Sequence, residues 1–137
     1  MTFHLHPQLQ KDCIFIGKLT LCRLLLMNDK QFPWFILVPE VEGITEVYHL
    51  DKQQQSLLIE ESSLFAERLN EIYKPDKLNI AAIGNLVPQL HVHHVVRYRT
   101  DKAWPAPIWG KFPVIAYSEQ QLTETVNLIT DELGLVG

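Results

Sequence analysis

The sequence has few cysteines and no long apolar run. Cys13 and Cys22 are the only two in 137 residues, which is typical of a protein kept in a reducing compartment. The longest apolar stretches, residues 24–27 and 35–39, are far shorter than the roughly 20 residues that cross a bilayer as a helix. The N-terminus also lacks the apolar core and cleavage site of a secretory signal. We therefore expect a cytoplasmic protein with no membrane partner.

Positive charge is scarce as well. Twelve Lys and Arg stand against 16 Asp and Glu, for a net charge of −4, so the chain lacks the basic footprint of a polynucleotide-binding protein. Hydrophobic residues make up 47% of the chain and charged residues 20%, which is ordinary for a globular domain. The chain has no internal repeat and no low-complexity segment. Its length predicts one domain over residues 1–137.

Short apolar runs alternate with turns and predict a sheet. We predict a helix over residues 7–17 and a hairpin of two strands, 18–28 and 34–38, joined by a polar turn at 28–33. A further strand is predicted over 78–83, followed by a turn at Gly84. Residues 100–113, rich in proline and tryptophan, predict an ordered loop.

Two helices are marked by their caps. Asp51 with Gln54 and Ser118 with Gln121 are capping-box pairs. We expect the first helix to end near Pro75 and the second to run to about Leu133 and stop at Gly134. The segregated helices and antiparallel pairings favour an α+β fold, an antiparallel sheet with helices packed on it.

Three of the six histidines fall within four positions of one apolar run, residues 85–97. Such a run is typical of a strand, whose successive side chains point to opposite faces. Gln89, His91 and His93 then share one face, and His94 lies on the other. The strand is the candidate site. Arg97 and Arg99, at its far end, are expected to be solvated.

Four interpretations of this strand stay open. The histidines are polar residues on a half-exposed strand, or two of them bind zinc, although a catalytic zinc usually needs three protein ligands. A third interpretation is nucleophilic catalysis, in which a neutral imidazole attacks phosphorus while its other nitrogen donates to a fixed acceptor. The carbonyl of Gln89 is a suitable acceptor. The fourth is a phosphate or nucleotide pocket without the chemistry.

The run Gln89-Leu90-His91-Val92-His93-His94-Val95 resembles the histidine-triad (HIT) motif, His-φ-His-φ-His-φ-φ with φ hydrophobic. Gln89 stands in the first histidine position. The preceding segment, residues 84–88, is similar to the family's Gly-Gln-x-Val-x. Residues 34–39 are similar to its apolar strand ending in Val-Ile-Pro. The chain looks most like bacterial HIT proteins with a Gln-Leu-His-φ-His-His signature followed by a Trp-Pro-Ala-Pro-φ-Trp loop.

This resemblance implies an α+β fold, commonly a homodimer, that acts on a nucleotide or nucleotide conjugate at its α-phosphate and needs no redox cofactor. We expect no cofactor and no metal. It assigns His91 as the nucleophile that becomes nucleotidylated and His93 as a phosphate contact. Further substrate-binding residues are implied on neighbouring segments: Asn85 and Asn79 for the phosphate, and Asn28 or Asp29 for the ribose.

Two departures from the family pattern bear on activity. Gln89 removes a proton-sharing imidazole from the first motif position, and Trp34 stands where the family often has a histidine. The nucleophile itself is retained. We therefore predict a nucleotide hydrolase or nucleotidyltransferase with His91, His93 and Gln89 at its catalytic centre. The alternative is a non-catalytic nucleotide-binding or partner-binding protein with a residual site.

Overall fold

A computed structural model describes residues 2–135 as one five-stranded antiparallel sheet with helices. The strand order is β1-β2-β3-β5-β4. The strands are β1 (Cys13–Lys18), β2 (Cys22–Met27), β3 (Trp34–Pro39), β4 (Lys77–Ala81) and β5 (Val92–Arg97), and the helices are α1 (Pro7–Asp12), α2 (Lys52–Tyr73) and α3 (Glu119–Leu133). The predicted α+β class is confirmed. Residues 1, 136 and 137 of the predicted single domain lie outside the described residues.

The predicted helix over residues 7–17 is wrong in its second half. Helix α1 ends at Asp12, and Cys13–Lys18 form strand β1. Ile14 and Ile16 are β-branched, and β-branched residues pack better on a pleated sheet than in a helix. The segment pairs with β2, from Cys13 opposite Met27 to Lys18 opposite Arg23. Tertiary pairing therefore overrides the weak helical preference here.

The central hairpin is confirmed, with a shorter first strand and a second strand that is one residue longer than predicted. Strand β2 begins at Cys22 rather than at residue 18, because Lys18 already ends β1 and residues 19–21 form the turn between them. Strands β2 and β3 pair antiparallel, with Leu25 opposite Ile36. All six residues of β3 are buried, which accounts for its uninterrupted apolar sequence.

Both capping boxes form as predicted. Asp51 and Gln54 cap α2 reciprocally, and Ser118 and Gln121 cap α3. Helix α2 ends at Tyr73, just before Pro75, and α3 ends at Leu133 with Gly134 in the left-handed region. No helix among residues 2–135 has the length and apolar character required to cross a membrane.

Helices α2 and α3 cover one face of the sheet. The core there joins alternate strand residues to helix residues, among them Leu24, Phe35, Val96, Phe65 and Ile129. The opposite face carries a second apolar cluster. It is built on Leu25, Trp34, Ile36, Val38 and Val95, and is covered by the N-terminal segment and by the loop after β5 through Ala103 and Ile108.

The last two strands are shorter than predicted. Strand β4 ends at Ala81 and β5 begins only at Val92, so Gln89 and His91 precede the regular ladder instead of lying within it. Gly84, with φ of 66°, supports the turn between the strands, since this conformation is easy for glycine. The predicted alternation persists within β5, where His93 pairs with Ile36 and His94 with Phe35.

Arg97 is buried, so its predicted solvation is wrong, whereas Arg99 is exposed as expected. Arg97 donates two hydrogen bonds to the Asp101 carboxylate, at 2.8 and 3.1 Å, and others to Asn79 and the Ala106 carbonyl. Burial alone would raise the pKa of Asp101, but the bonds from Arg97 and from backbone N–H groups outweigh it and lower that pKa. This ion pair fixes the start of the loop after β5 to the sheet.

Candidate active site

His91 is held in one orientation by the backbone just before it. Its Nδ1 lies 2.6 Å from the carbonyl oxygen of Gln89, the acceptor predicted from the sequence. A carbonyl only accepts, so Nδ1 carries the proton and Nε2 keeps its lone pair. The His91 side chain is 6% exposed. The ring is thus in the tautomer that a nucleophilic nitrogen requires.

His93 is held in the opposite tautomer by Trp34. The indole Nε1–H of Trp34 donates to Nδ1 of His93 at 2.9 Å. Because an indole only donates, Nδ1 must be unprotonated and the proton of neutral His93 is on Nε2. The ring centroids of His91 and His93 are 4.9 Å apart. A nitrogen lone pair and an N–H donor therefore lie on adjacent rings.

Burial keeps both rings uncharged. The pKa of His93 is lowered to about 3 by burial and, to a smaller extent, by His91 and His94. The pKa of His91 is lowered by burial, against the opposing effect of its bond to Gln89. A histidine is protonated only below its pKa, so both imidazoles are neutral at pH 7. Neutrality is the state in which His91 can attack an electrophile.

The two imidazoles line a cavity of about 380 Å³. Its other walls are the segment between β4 and β5 and the loop after β5, including Gly84, Asn85, Val87 and Trp109. A neighbouring cavity of about 620 Å³ reaches His91 from the side of Thr45, Tyr48 and Gln55. His91 borders both cavities, so a group bound in either one lies beside its ring.

The predicted phosphate-binding residues divide between the site and its surroundings. Asn85 lines the cavity with both histidines. Asn79 lies on β4 and accepts a hydrogen bond from Arg97 at 2.7 Å, so its side chain belongs to the ion-pair network. Gln89 binds the N-terminal segment with its side chain, through the His6 N–H and the His4 carbonyl.

The predicted ribose-binding residues also have intramolecular partners. Asn28 accepts from the backbone N–H of Tyr117 at 3.0 Å. Asp29 is 2% exposed and accepts from the backbone and side chain of Gln31. Asp29 also accepts from the Ile115 N–H at 3.5 Å, so both side chains contact the segment that leads into α3. Neither is among the residues that line the two cavities beside His91.

His94 lies on the helix side of the sheet, as predicted from the alternation. It is fully buried, with Nε2 2.8 Å from the Ser62 hydroxyl and its ring packed on Phe65. A zinc site would need further ligands beside His91 and His93. Within residues 2–135, no three histidine, cysteine or acidic side chains are placed to hold one metal ion.

Two tryptophans belong to the site although neither was among its predicted residues. Trp34 orients His93, and Trp109 packs against the same ring with centroids 5.3 Å apart. The Nε1 of Trp109 is buried and has no hydrogen-bond partner in the described part of the chain. The register of β3 and β5 explains the position of Trp34. Ile36 lies opposite His93, and Trp34, two residues before Ile36 on β3, points to the same face of the sheet.

Trp34→Phe is expected to raise the pKa of His93 from about 3 toward the ordinary value of about 6.5. The indole N–H binds only the neutral ring, so removing it lowers the cost of protonation. NMR titration of the ring protons measures this pKa. Trp109→Phe is the matched control, because it keeps the Trp34 donor. An unchanged His93 pKa in Trp34→Phe, or an equal rise in both variants, would contradict the assignment.

Comparison with known proteins decides the family. A model of the HIT domain matches residues 8–100. The chain belongs to the HIT family. A histidine triad protein from Marinobacter aquaeolei is 47% identical, covers 98% of each chain and superposes with a TM-score of 0.95. One from Bradyrhizobium japonicum is 41% identical over 96% of this chain and 98% of that one, with a TM-score of 0.94.

More distant members share the fold alone. A hypothetical histidine triad nucleotide-binding protein from Sulfolobus tokodaii is 15% identical over 89% of this chain and 84% of its own, with a TM-score of 0.67. No curated protein matches the sequence. The HIT family consists largely of nucleotide hydrolases and transferases, which is the class of chemistry that the resemblance implies.

Proposed function

We propose that this HIT protein is a nucleotide hydrolase or nucleotidyltransferase that acts at an α-phosphate through a covalent intermediate on His91. The observation that carries the proposal is the 2.6 Å bond from His91 Nδ1 to the Gln89 carbonyl. It leaves the Nε2 lone pair available on a ring that borders two cavities. Burial lowers the pKa of the same ring, so it is neutral and nucleophilic at pH 7.

In the proposed reaction, the Nε2 lone pair of His91 forms a bond to the α-phosphorus. The bond from phosphorus to the leaving group breaks, and its electron pair departs with that group, which takes a proton from solvent. The ring then carries a positive charge, which the Gln89 carbonyl stabilises through Nδ1–H. Water or another acceptor attacks the phosphorus, loses its proton to solvent, and returns the electron pair to Nε2.

His93 and Asn85 are the proposed phosphate contacts. Because its Nδ1 is bound by Trp34, His93 offers Nε2–H. This N–H donates to a phosphoryl oxygen while the imidazole stays neutral. Asn85 adds an amide in the same cavity. Gln89, which we place at the first position of the histidine motif, contributes its backbone carbonyl, and this contribution does not depend on the side chain.

The experiment is to mix the protein with a nucleoside 5′-phosphoramidate, quench in alkali, and measure the intact mass. Alkali is used because phosphorus–nitrogen bonds to histidine are labile in acid. We expect a population heavier by one nucleotidyl group and a burst of leaving group equal to that population. Binding with neither adduct nor turnover would favour the alternative, a nucleotide-binding or partner-binding protein.

Other roles of the predicted residues are retained as proposals. Asn28 or Asp29 would bind the ribose hydroxyls, and Asn79 the phosphate, only if each exchanged its present partner for the ligand. We also propose that the single-domain chain acts in the cytoplasm as a homodimer. Within residues 2–135, strand β4 pairs only with β5 and lies at the sheet edge, where Ile80 is 47% exposed. Such an edge suits pairing with a second copy.

A further inference from the structure

The cavity that contains both site imidazoles has a polar floor and an apolar mouth. His91 and His93 are buried and form its floor. Ile83 and Leu86 line the same cavity, but Ile83 is exposed and Leu86 has 95% of its surface exposed. These two side chains therefore lie where the cavity opens to solvent. A ligand that reaches the imidazoles passes between them.

Packing does not explain the apolar side chain of Leu86. The next residue, Val87, packs on the apolar cluster of the site face, and so does Trp109. Leu86 keeps nearly all of its contact area free. A single exposed leucine is ordinary on a protein surface, but this one lies on the wall of the cavity that holds the proposed nucleophile. Its side chain is free to contact a substrate there.

The wall of this cavity offers no charge to a ligand. Among the described residues that line it, none is a lysine, arginine, aspartate or glutamate, and both imidazoles are neutral at pH 7. An anionic group at the mouth would lose part of its hydration and gain no cation in exchange. An apolar group would instead remove its own surface and that of Leu86 from water. The mouth therefore favours an uncharged, apolar group.

The direction of attack decides which part of the substrate lies at the mouth. In a displacement at phosphorus, the incoming and outgoing groups lie roughly in line on opposite sides. His91 attacks from the floor of the cavity, so the leaving group departs toward Ile83 and Leu86. The nucleoside is attached through one of the other phosphorus substituents and extends to the side of this line.

We propose that Leu86 is a specificity-determining residue that selects an uncharged, apolar leaving group. The inference rests on the proposed nucleotide site at His91. The substrate class is the amide of a nucleoside monophosphate with an alkyl or aryl amine. When His91 Nε2 bonds to phosphorus, the phosphorus–nitrogen bond breaks, its electron pair leaves with the nitrogen, and the nitrogen takes a proton from solvent at the open mouth. The product released there is the free amine.

The experiment compares the hexylamide and the methylamide of one nucleoside 5′-monophosphate. The two amines are almost equally basic, so the compounds differ in apolar surface rather than in leaving-group chemistry. We expect the wild type to prefer the hexylamide by at least about tenfold in kcat/KM. Leu86→Ser should reduce this preference to about twofold, because it removes most of the apolar contact.

Two further variants separate specificity from folding. Leu86→Met keeps the apolar volume and should keep the preference. Leu128→Ser is the matched control, because it removes a leucine that is also exposed but lies on α3. It should leave kcat/KM for both amides as in the wild type.

A charge at the same position should reverse the selection. Leu86→Lys is expected to raise kcat/KM for a nucleoside 5′-diphosphate, whose leaving group is phosphate, by about threefold, the size of an exposed ion pair. The same variant should lower kcat/KM for the hexylamide. The gain with the diphosphate should disappear at high salt, because exposed charges are screened.

Two results would overturn the inference. One is equal kcat/KM of the wild type for hexylamide and methylamide. The other is a loss in Leu86→Ser that is the same for both amides and follows the nucleobase, since Leu86 would then contact the base. In both cases turnover continues, so the proposed function stands.

Binding measurements cover failure of the catalytic proposal. Calorimetry that shows tighter binding of the hexylamide, dependent on Leu86, without adduct or turnover would keep the apolar subsite and reject catalysis. Absence of turnover together with equal binding of both amides would overturn both proposals.

Discussion

Replacing His91 with glycine is expected to lower kcat/KM for a nucleoside phosphoramidate by at least about 10³-fold. The variant removes the nitrogen that forms the covalent bond, and Nδ1 of His93, on the adjacent ring, is already bound by Trp34. The intact-mass adduct should disappear as well. Steady-state kinetics and mass measurement provide the two readouts.

Free imidazole should restore part of this activity. The cavity left by His91→Gly has the shape of the lost ring, and the Gln89 carbonyl remains to orient an added imidazole. His94→Gln is the matched control, because His94 lies in the same run but on the helix face. It is expected to retain turnover within about threefold. Wild-type activity in His91→Gly, or equal losses in both variants, would exclude His91 as the nucleophile.

Arg97→Met is expected to lower the free energy of unfolding by about 3–5 kcal/mol. Arg97 is 1% exposed, and its removal leaves the Asp101 carboxylate without its cation. Without Arg97, only the backbone N–H bonds oppose the effect of burial, so the pKa of Asp101 rises from its lowered value. The loss of stability should therefore be largest at neutral pH, where Asp101 is charged, and shrink in acid as the carboxyl is protonated. Urea denaturation at several pH values measures it.

Arg99→Met is the control for this loss, since it removes the same charge from an exposed position two residues away. Its effect should stay within about 0.5 kcal/mol. The double variant Arg97→Met/Asp101→Asn should recover part of the loss, because asparagine keeps an acceptor for the backbone N–H groups without a buried charge. Equal stabilities of Arg97→Met and Arg99→Met would show that the ion pair contributes no net stability.

Local signals in the sequence were sufficient for the elements that carry their own determinants. The Asp51 and Ser118 capping boxes specify helix starts through bonds within four residues. The polar turn at 28–33 joins two apolar runs over a short distance, which favours their antiparallel pairing as a hairpin. Strand β1 was missed because its six residues are specified by β2, across the sheet, and no periodicity of residues 13–18 records that partner.

The site was predictable where it follows the alternation of a strand. The opposite faces of His93 and His94 follow from their positions in β5, and the rings of His91 and His93 are adjacent as the alternation predicts; their catalytic roles stay predictions. Asn28 and Asp29 were assigned by resemblance, and the N–H groups of Tyr117 and Ile115 that they bind lie almost ninety positions further along the chain. The burial of Arg97 was missed because its charge is compensated by Asp101, which lies in the loop after β5. The alternation of residues within the strand gives no information about that loop.

Under the proposed function, a phosphate ester approaches His91 and His93 while both imidazoles are uncharged. A protein of net charge −4 with neutral imidazoles at its site has no net positive charge to attract an anion over long range. The association rate of an anionic ligand should therefore not fall as ionic strength rises. Added salt should screen the overall repulsion and leave the short hydrogen bonds of the bound state intact. Capture therefore depends on contact geometry within the cavity, and monoanionic esters gain an advantage over more highly charged phosphates.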